Sequence, residues 1–165
     1  MKNIIPITVI FFTIVLFNGC KKDEGVTTPT TGGQSFTCKV DGTDWSANAP
    51  GTPVVAGYVS NNLTIAASAV IGTTGEQFTF MLTNVTDVGT VNLGSAVGGS
   101  YASFTRTVGT TSTTFMTDAT NKGTVQITKL DKTAKNVVGT FSFTAKSSVG
   151  STLVNVTNGA FNVKY

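Results

Sequence analysis

Paired carboxylates are the first candidates for catalysis in this sequence. The chain contains no histidine, which excludes Ser-His-Asp and Cys-His devices and histidine-based zinc sites. A glycosidase needs only two carboxyl groups, so acids alone would suffice for a hydrolase. The acidic residues after position 34 all fall in or beside predicted turns: Asp41, Asp44, Glu76, Asp87, Asp118 and Asp131. Because a solvated turn supplies neither burial nor a charged neighbour, we predict a non-enzymatic protein, with a carboxylate-dependent hydrolase as the alternative.

Other groups that bind metals or ligands are sparse. Asp41 and Asp44 could form half of a Ca²⁺ site, but no spaced run of acids supplies the remaining oxygen ligands. The sequence has no glycine-rich phosphate loop with a following lysine. We therefore predict no catalytic residue, no cofactor and no metal. Trp45, Tyr58 and Tyr101 could stack against a sugar, but Trp45 alternates with alanines and is predicted to anchor the core. The two tyrosines remain candidates.

Cys20 is the side chain with the clearest chemical use. It follows a positive start at Lys2 and an apolar run, Ile4 to Phe17, which is shorter than the ~20 residues of a membrane-spanning helix. Gly19 supplies the small residue that precedes a signal-peptide cut. Because an acylated cysteine anchors a secreted chain to a membrane, we predict a signal peptide over residues 1–19 and a lipid on Cys20. The alternative is an ordinary secretory signal with a chance cysteine.

The residues around Cys20 resemble a bacterial lipobox, in which a diacylglyceryl group is placed on the cysteine sulfur. Phe17 stands where leucine is usual, and Leu16 lies one position further back. The run Lys21 to Glu24 resembles the lysine-plus-acidic export signal of surface lipoproteins in Bacteroidota. This resemblance implies a lipid-anchored protein of the outer membrane, exposed at the cell surface. The other interpretation of the run is a solvated charge cluster that begins a linker.

Charge argues against a nucleic-acid partner. The 11 basic and 8 acidic residues give a formal net charge of +3, which becomes +2 (10 minus 8) when Lys2 leaves with the signal peptide. This charge is too small, and too scattered along the sequence, for the footprint of a polyanion. The predicted partners are the membrane, through the lipid on Cys20, and an unknown protein or glycan ligand.

Short alternating runs separated by turn residues follow residue 34, and none has a 3.6-residue period. Asp41-Gly42 and Ser60-Asn61-Asn62 are hairpin signals. Because no connection is long enough for a crossover helix, we predict an all-β domain over residues 35–165. Its expected form is an antiparallel β-sandwich or flattened barrel of about ten short strands. Asn158-Gly159 interrupts the last run either as a bulge, in which Gly159 would supply a positive φ, or as a tight turn.

Two further features complete the predicted organisation. Residues 20–34 combine the candidate lipidated cysteine with a stretch rich in threonine and glycine, which predicts a flexible tether with a root-mean-square span of about 20 Å. With Cys20 acylated, Cys38 has no partner for an internal disulfide. Its alternation with Phe36 and Val40 predicts a buried position on the apolar face of a strand.

The two ends of the domain resemble a group of Bacteroidota lipoprotein domains of unknown function. Phe36 to Trp45 (FTCKVDGTDW) resembles their opening, and Gly139 to Ala145 (GTFSFTA) with Val156 to Phe161 (VTNGAF) resembles their close. The resemblance implies location and fold, but no activity. We therefore predict a non-enzymatic, lipid-anchored surface module that binds an unknown ligand. The alternatives are the hydrolase above and a glycan-binding accessory protein of a polysaccharide-uptake system.

Overall fold

The structure is a computed structural model, and it describes residues 33–94 and 97–165. Within these two ranges no helix is long or apolar enough to span a membrane. The secondary structure that they contain is β-sheet and turns. The strands are β1 (Ser35–Val40), β2 (Thr43–Ser46), β3 (Val54–Val59), β4 (Asn62–Ile71), β5 (Thr74–Leu82), β6 (Gly89–Leu93), β7 (Tyr101–Val108), β8 (Thr111–Met116), β9 (Gly123–Asp131), β10 (Asn136–Ser147) and β11 (Leu153–Lys164).

These strands form one antiparallel sheet that curls into a half-barrel. Its main path runs β2-β1-β11-β10-β8-β7-β5-β4-β3, and the first part of β10 also pairs with β9, which carries β6. The backbone N–H groups of Asn48 and Ala49 both donate to the carbonyl of Ser68 at 3.1 Å. The chain leaving β2 therefore reaches β4, near the opposite edge of the sheet. The predicted antiparallel all-β architecture is confirmed, in the form of a curled sheet.

The inner face of the sheet holds a continuous aromatic core. Along β10, Phe141 and Phe143 are buried, whereas the alternate residues Thr140 and Ser142 are exposed. This is the period-2 alternation of a half-buried strand. Ring centroids lie 4.8 Å apart for Phe36 and Phe141. Each such buried side chain stabilises the fold by about 1.5–3 kcal/mol. The largest members of the core are Phe36, Trp45, Phe78, Phe80, Phe104, Phe115, Phe141, Phe143 and Phe161.

The two hairpin predictions are confirmed by backbone geometry. Asp41 and Gly42 have φ values of 50° and 84°, and Ser60 and Asn61 have φ values of 51° and 62°. Positive φ at both central residues is what a two-residue turn needs to match the twist of its strands. β2 ends at Ser46, and within three residues the chain forms hydrogen bonds with β4.

The last strand contains a bulge at Asn158, where pairing of β10 with β11 shifts between Phe141 and Phe143. Asn158 itself takes the left-handed conformation, with φ of 52°, whereas Gly159 does not. Gly159 is instead required by packing, because a Cβ there would collide with the ring of Phe141. The expectation that glycine supplies the positive φ of a bulge is therefore wrong at this position.

Strand register defines two ends of the half-barrel. β1 begins opposite the end of β11 (Ser35 against Asn162), and β11 ends opposite the start of β10 (Lys164 against Asn136). We call this the near end, since the described chain enters the sheet here. The far end carries the connections β1–β2, β4–β5, β7–β8 and β10–β11.

Candidate functional site

Cys20, the predicted lipidation site, lies outside the described residues. The predicted signal peptide 1–19 and the charged run Lys21 to Glu24 also lie outside them. The first strand begins at the near end, where Gln34 Oε1 accepts a 3.2 Å hydrogen bond from the backbone N–H of Lys164. The segment that carries Cys20 therefore joins the sheet at this end.

Four of the six predicted turn acids accept hydrogen bonds from backbone N–H groups. Asp41 and Asn155 exchange two 2.8 Å hydrogen bonds, which fasten the β1–β2 turn to β11. The carboxylates of Asp118 and Asp131 each accept the N–H groups two and three residues later. These hydrogen bonds, chiefly that from the third residue, lower the pKa of both carboxyl groups. Asp87 accepts the N–H of the residue that follows it.

Asp44 contributes to a surface ion pair. Its Oδ1 accepts a 2.6 Å hydrogen bond from Lys39 Nζ, and its side chain is 87% exposed. Such an exposed pair stabilises a fold by roughly 0–1 kcal/mol. Within residues 33–94 and 97–165, no group of three histidine, cysteine or acidic side chains is placed to hold a metal ion.

Glu76 contradicts the prediction that every acid occupies a solvated turn. It lies on the inner face of β5, in line with Phe78, and its side chain is only 5% exposed. Its Oε1 accepts a 2.5 Å hydrogen bond from Arg106 Nε on β7, the strand that pairs with β5. The Arg106 guanidinium in turn lies 5.3 Å from the ring centroid of Phe104. The Arg106 side chain is 42% exposed, so the pair lies at the edge of the core, toward the far end, and loss of Arg106 would leave the buried carboxylate without this partner.

Cys38 is buried, as predicted, and its surroundings keep the thiol protonated. Its exposed fraction is 5%, and it lies directly opposite Trp45 in the β1–β2 pair. Burial, followed by the negative charge of Glu76, raises the pKa of Cys38 to about 12. A thiol with this pKa is a small core side chain at neutral pH, because the thiolate is the reactive form.

The three candidate stacking residues do not form one platform. Trp45 is 4% exposed and packs edge-on against Phe78 at 4.7 Å, so its predicted role in the core is confirmed. Tyr58 lies on the inner face, where its ring packs against Tyr165 at 5.1 Å and its hydroxyl donates to the carbonyl of Val85 at 2.6 Å. Tyr101 alternates with buried Ala102 and so lies on the outer face. The two tyrosines are on opposite faces of the sheet.

Two depressions on the outer face of β9, β10 and β11 are candidates for a binding site. They flank the bulge, have volumes of about 280 and 240 Å³, and meet at Ser142. Phe141, Phe143 and Val156 contribute apolar surface to the lining, and the outward-facing side chains are uncharged hydrogen-bonding groups apart from Lys122. The outward-facing residues that line them are Thr124, Gln126, Thr140, Ser142 and Asn158 in the first, and Lys122, Ser142, Thr144, Asn155 and Thr157 in the second.

These depressions are built on a rigid part of the sheet. β10 is paired on both sides, and its side chains alternate strictly between the core and the outer face. Thr144 Oγ1 donates to Asn155 Oδ1 at 2.9 Å, and Thr90 Oγ1 donates to Gln126 Oε1 at 2.5 Å. These bonds orient both amide groups, and Gln126 Nε2 donates to the carbonyl of Ile127 at 3.4 Å. Sequence inspection missed this face because threonine and asparagine on alternate positions are also ordinary solvent-facing residues.

Fold and surface together define a small, all-β domain with an aromatic core and a polar outer face. A family profile described as Domain of unknown function (DUF6252) matches residues 33–163, and the chain belongs to this family. The prediction that the domain belongs to a family of unknown function is confirmed in this coarser form. Comparison with curated proteins and with solved structures finds no significant match.

Proposed function

We propose that this protein is a non-enzymatic, lipid-anchored module of the cell envelope that binds a ligand through the outer face of β9, β10 and β11. The observation that carries the proposal is the pair of depressions that meet at Ser142, lined by hydroxyl and amide groups. Cys20 supports the anchoring, since it closes an apolar leader and precedes a tether of suitable composition. The run Lys21 to Glu24 supports an outer-membrane location facing outward, as in the surface lipoproteins of Bacteroidota that it resembles.

Replacing Cys20 with alanine is expected to abolish anchoring. Without the sulfur there is no acceptor for the diacylglyceryl group, so the variant should remain unprocessed or leave the detergent phase. Detergent-phase partitioning and the mass of the mature N-terminus measure both effects, with Cys38→Ala as the matched cysteine control. A Cys20→Ala protein that is cleaved to the normal mature N-terminus and still partitions normally would contradict the proposal.

Protease treatment of intact cells tests surface exposure separately from lipid anchoring. Protease added outside intact cells should remove the wild-type domain, and alanine at Lys22, Asp23 and Glu24 should protect it. Resistance of the wild-type protein would show that the domain faces inward, whatever its anchor.

A glycan is the second, narrower candidate for the ligand. Hydroxyl and amide groups match the hydrogen-bonding needs of a neutral sugar chain, and the depressions around Ser142 provide them with Lys122 as the one charged side chain in their lining. Isothermal titration with neutral oligosaccharides should detect binding that Ser142→Arg removes. Thr79→Arg is the control, because Thr79 lies on a strand of the sheet away from both depressions. Equal loss in both variants, or no binding by the wild type, would count against a glycan ligand.

A further inference from the structure

Four lysines lie at the near end of the half-barrel, three of them from residues 129–135 and one from the end of β11. Lys129 and Lys164 line one depression of about 280 Å³ together with Gly33, the first described residue. Lys132 and Lys135 lie in the turn between β9 and β10, and all four lysines are exposed. The turn is held in place because the carbonyl of Lys135 accepts the backbone N–H of the last residue at 3.0 Å. We call these four lysines the basic end.

Two carboxylate side chains lie near the basic end. Asp131 is 3.5 Å from Lys129 Nζ, and Asp87 adjoins Thr86, whose carbonyl accepts a 3.0 Å hydrogen bond from Lys132 Nζ. Four lysines minus two aspartates leave a side-chain charge of +2 here.

The other charged side chains of the described ranges cancel. They comprise four cations and four acids, a net charge of zero: Lys39, Arg106, Lys122 and Lys146 against Asp41, Asp44, Glu76 and Asp118. The side-chain charge of the described domain is therefore concentrated at the end where the preceding segment joins. The basic residues look scattered along the whole sequence, which argues against a polyanionic partner, but four of them lie at this one end of the fold.

We propose that the basic end docks on the phosphate groups of an anionic lipid surface. This inference rests on the proposed function, because the lipid on Cys20 would hold the basic end close to headgroups. The tether makes the second contact intramolecular, so a few exposed lysines suffice where a free domain would bind weakly. Docking in this orientation turns the far end of the half-barrel away from the membrane.

The test attaches the mature chain, starting at Cys20, to vesicles through maleimide-bearing lipids. This coupling needs no cellular lipidation, and Cys38 does not compete because it is buried with a thiol pKa raised to about 12. Vesicles contain either phosphatidylcholine alone or phosphatidylcholine mixed with phosphatidylglycerol. Amide hydrogen exchange in the β9–β10 turn should slow several-fold on the anionic vesicles. The slowing should disappear at high salt, since screening shortens the reach of exposed charges.

Matched double variants locate the effect. Lys132→Gln with Lys135→Gln should remove the slowing, whereas Lys122→Gln with Lys146→Gln, also exposed, should leave it intact. Equal exchange on the two vesicles, or equal loss in both double variants, overturns the proposal. The same slowing caused by inorganic phosphate on neutral vesicles also overturns it, since that would indicate a phosphate site instead of a membrane surface. Failure of Cys20→Ala to change fractionation in cells contradicts only the anchoring.

Discussion

Deleting Ala160 to Tyr165 is expected to unfold the domain. This segment is the second half of β11, which lies between β1 and β10 in the sheet. Phe161 is 1% exposed and Val163 is fully buried, and Phe161 pairs with Phe36 on one side and Gly139 on the other. Each of these side chains stabilises the fold by about 1.5–3 kcal/mol, and the lost ladder hydrogen bonds add to the cost. A domain stability of about 5–15 kcal/mol would not survive the deletion.

Thermal melts of residues 33–165, with and without the last six, measure this effect. The matched control deletes only Lys164 and Tyr165, which removes the contact of Tyr165 with Tyr58 but keeps both buried side chains. This control should lower the melting temperature by several degrees and leave a cooperative transition, since 1 kcal/mol corresponds to roughly 2–8 °C in domains of this size. A six-residue deletion that melts like the control would show that the end of β11 is not part of the core.

The local elements could be predicted from sequence because their signals are local. Alternation of apolar and polar residues identifies strands such as β10, and Asp41-Gly42 identifies a turn from two residues. The order of strands could not be predicted in the same way. β10 pairs with β9 along its first part and with β8 at its end, a choice made by contacts between distant segments. No property of the β10 sequence alone marks the point where its partner changes.

Glu76 shows how a local signal can mislead. Gly72-Thr73-Thr74-Gly75 predicts a turn, and an acid directly after it looks solvated. β5 nevertheless begins at Thr74, so Glu76 already points inward. The spacing did carry a usable signal. Glu76 and Phe78 are two residues apart on β5 and therefore lie on the same face of the sheet, as do Arg106 and Phe104 on β7. Recognising the pair still required knowing that these two strands are neighbours.

The basic end and the outer-face depressions follow the same logic. Lys129 and Lys164 are far apart in sequence and meet because β9, β10 and β11 lie side by side. Ser142 looks like any exposed residue until the bulge in β11 opens a depression on each side of it. A candidate site on this protein is therefore a property of strand order and bulge position, which composition and spacing do not contain.

The second large effect is expected at two glycines that accept aromatic rings from the neighbouring strand. Gly139 on β10 pairs with Phe161 on β11, and Phe141 on β10 pairs with Gly159 on β11. A Cβ at Gly159 would collide with the Phe141 ring, and one at Gly139 would lie 2.6 Å from both the carbonyl of Gln126 and Phe161 Cζ. The two pairs are reciprocal, so each ring fills the space that the opposite glycine leaves.

Gly159→Ala and Gly139→Ala should each destabilise the domain by about 1–3 kcal/mol, the usual cost of overpacking a core. Gly57→Ala is the matched control, since Gly57 also lies within a strand, on β3, and an added Cβ there meets no atom within 4 Å. At such a site alanine is expected to be neutral or to stabilise by about 0.4–1 kcal/mol, because it restricts the unfolded chain. Urea unfolding of the three variants measures the differences.

A double-mutant cycle then tests the physical cause of the loss at Gly159. Phe141→Leu removes the ring that the new methyl group meets, so Gly159→Ala should cost less in that background than in the wild type. Phe36→Leu is the comparison background, because Phe36 also packs against Phe141, at 4.8 Å, whereas the three atoms nearest to a Cβ at position 159 all belong to the Phe141 ring. Equal costs in the two backgrounds would mean that the backbone at the bulge, and not the Phe141 ring, rejects a side chain at this position.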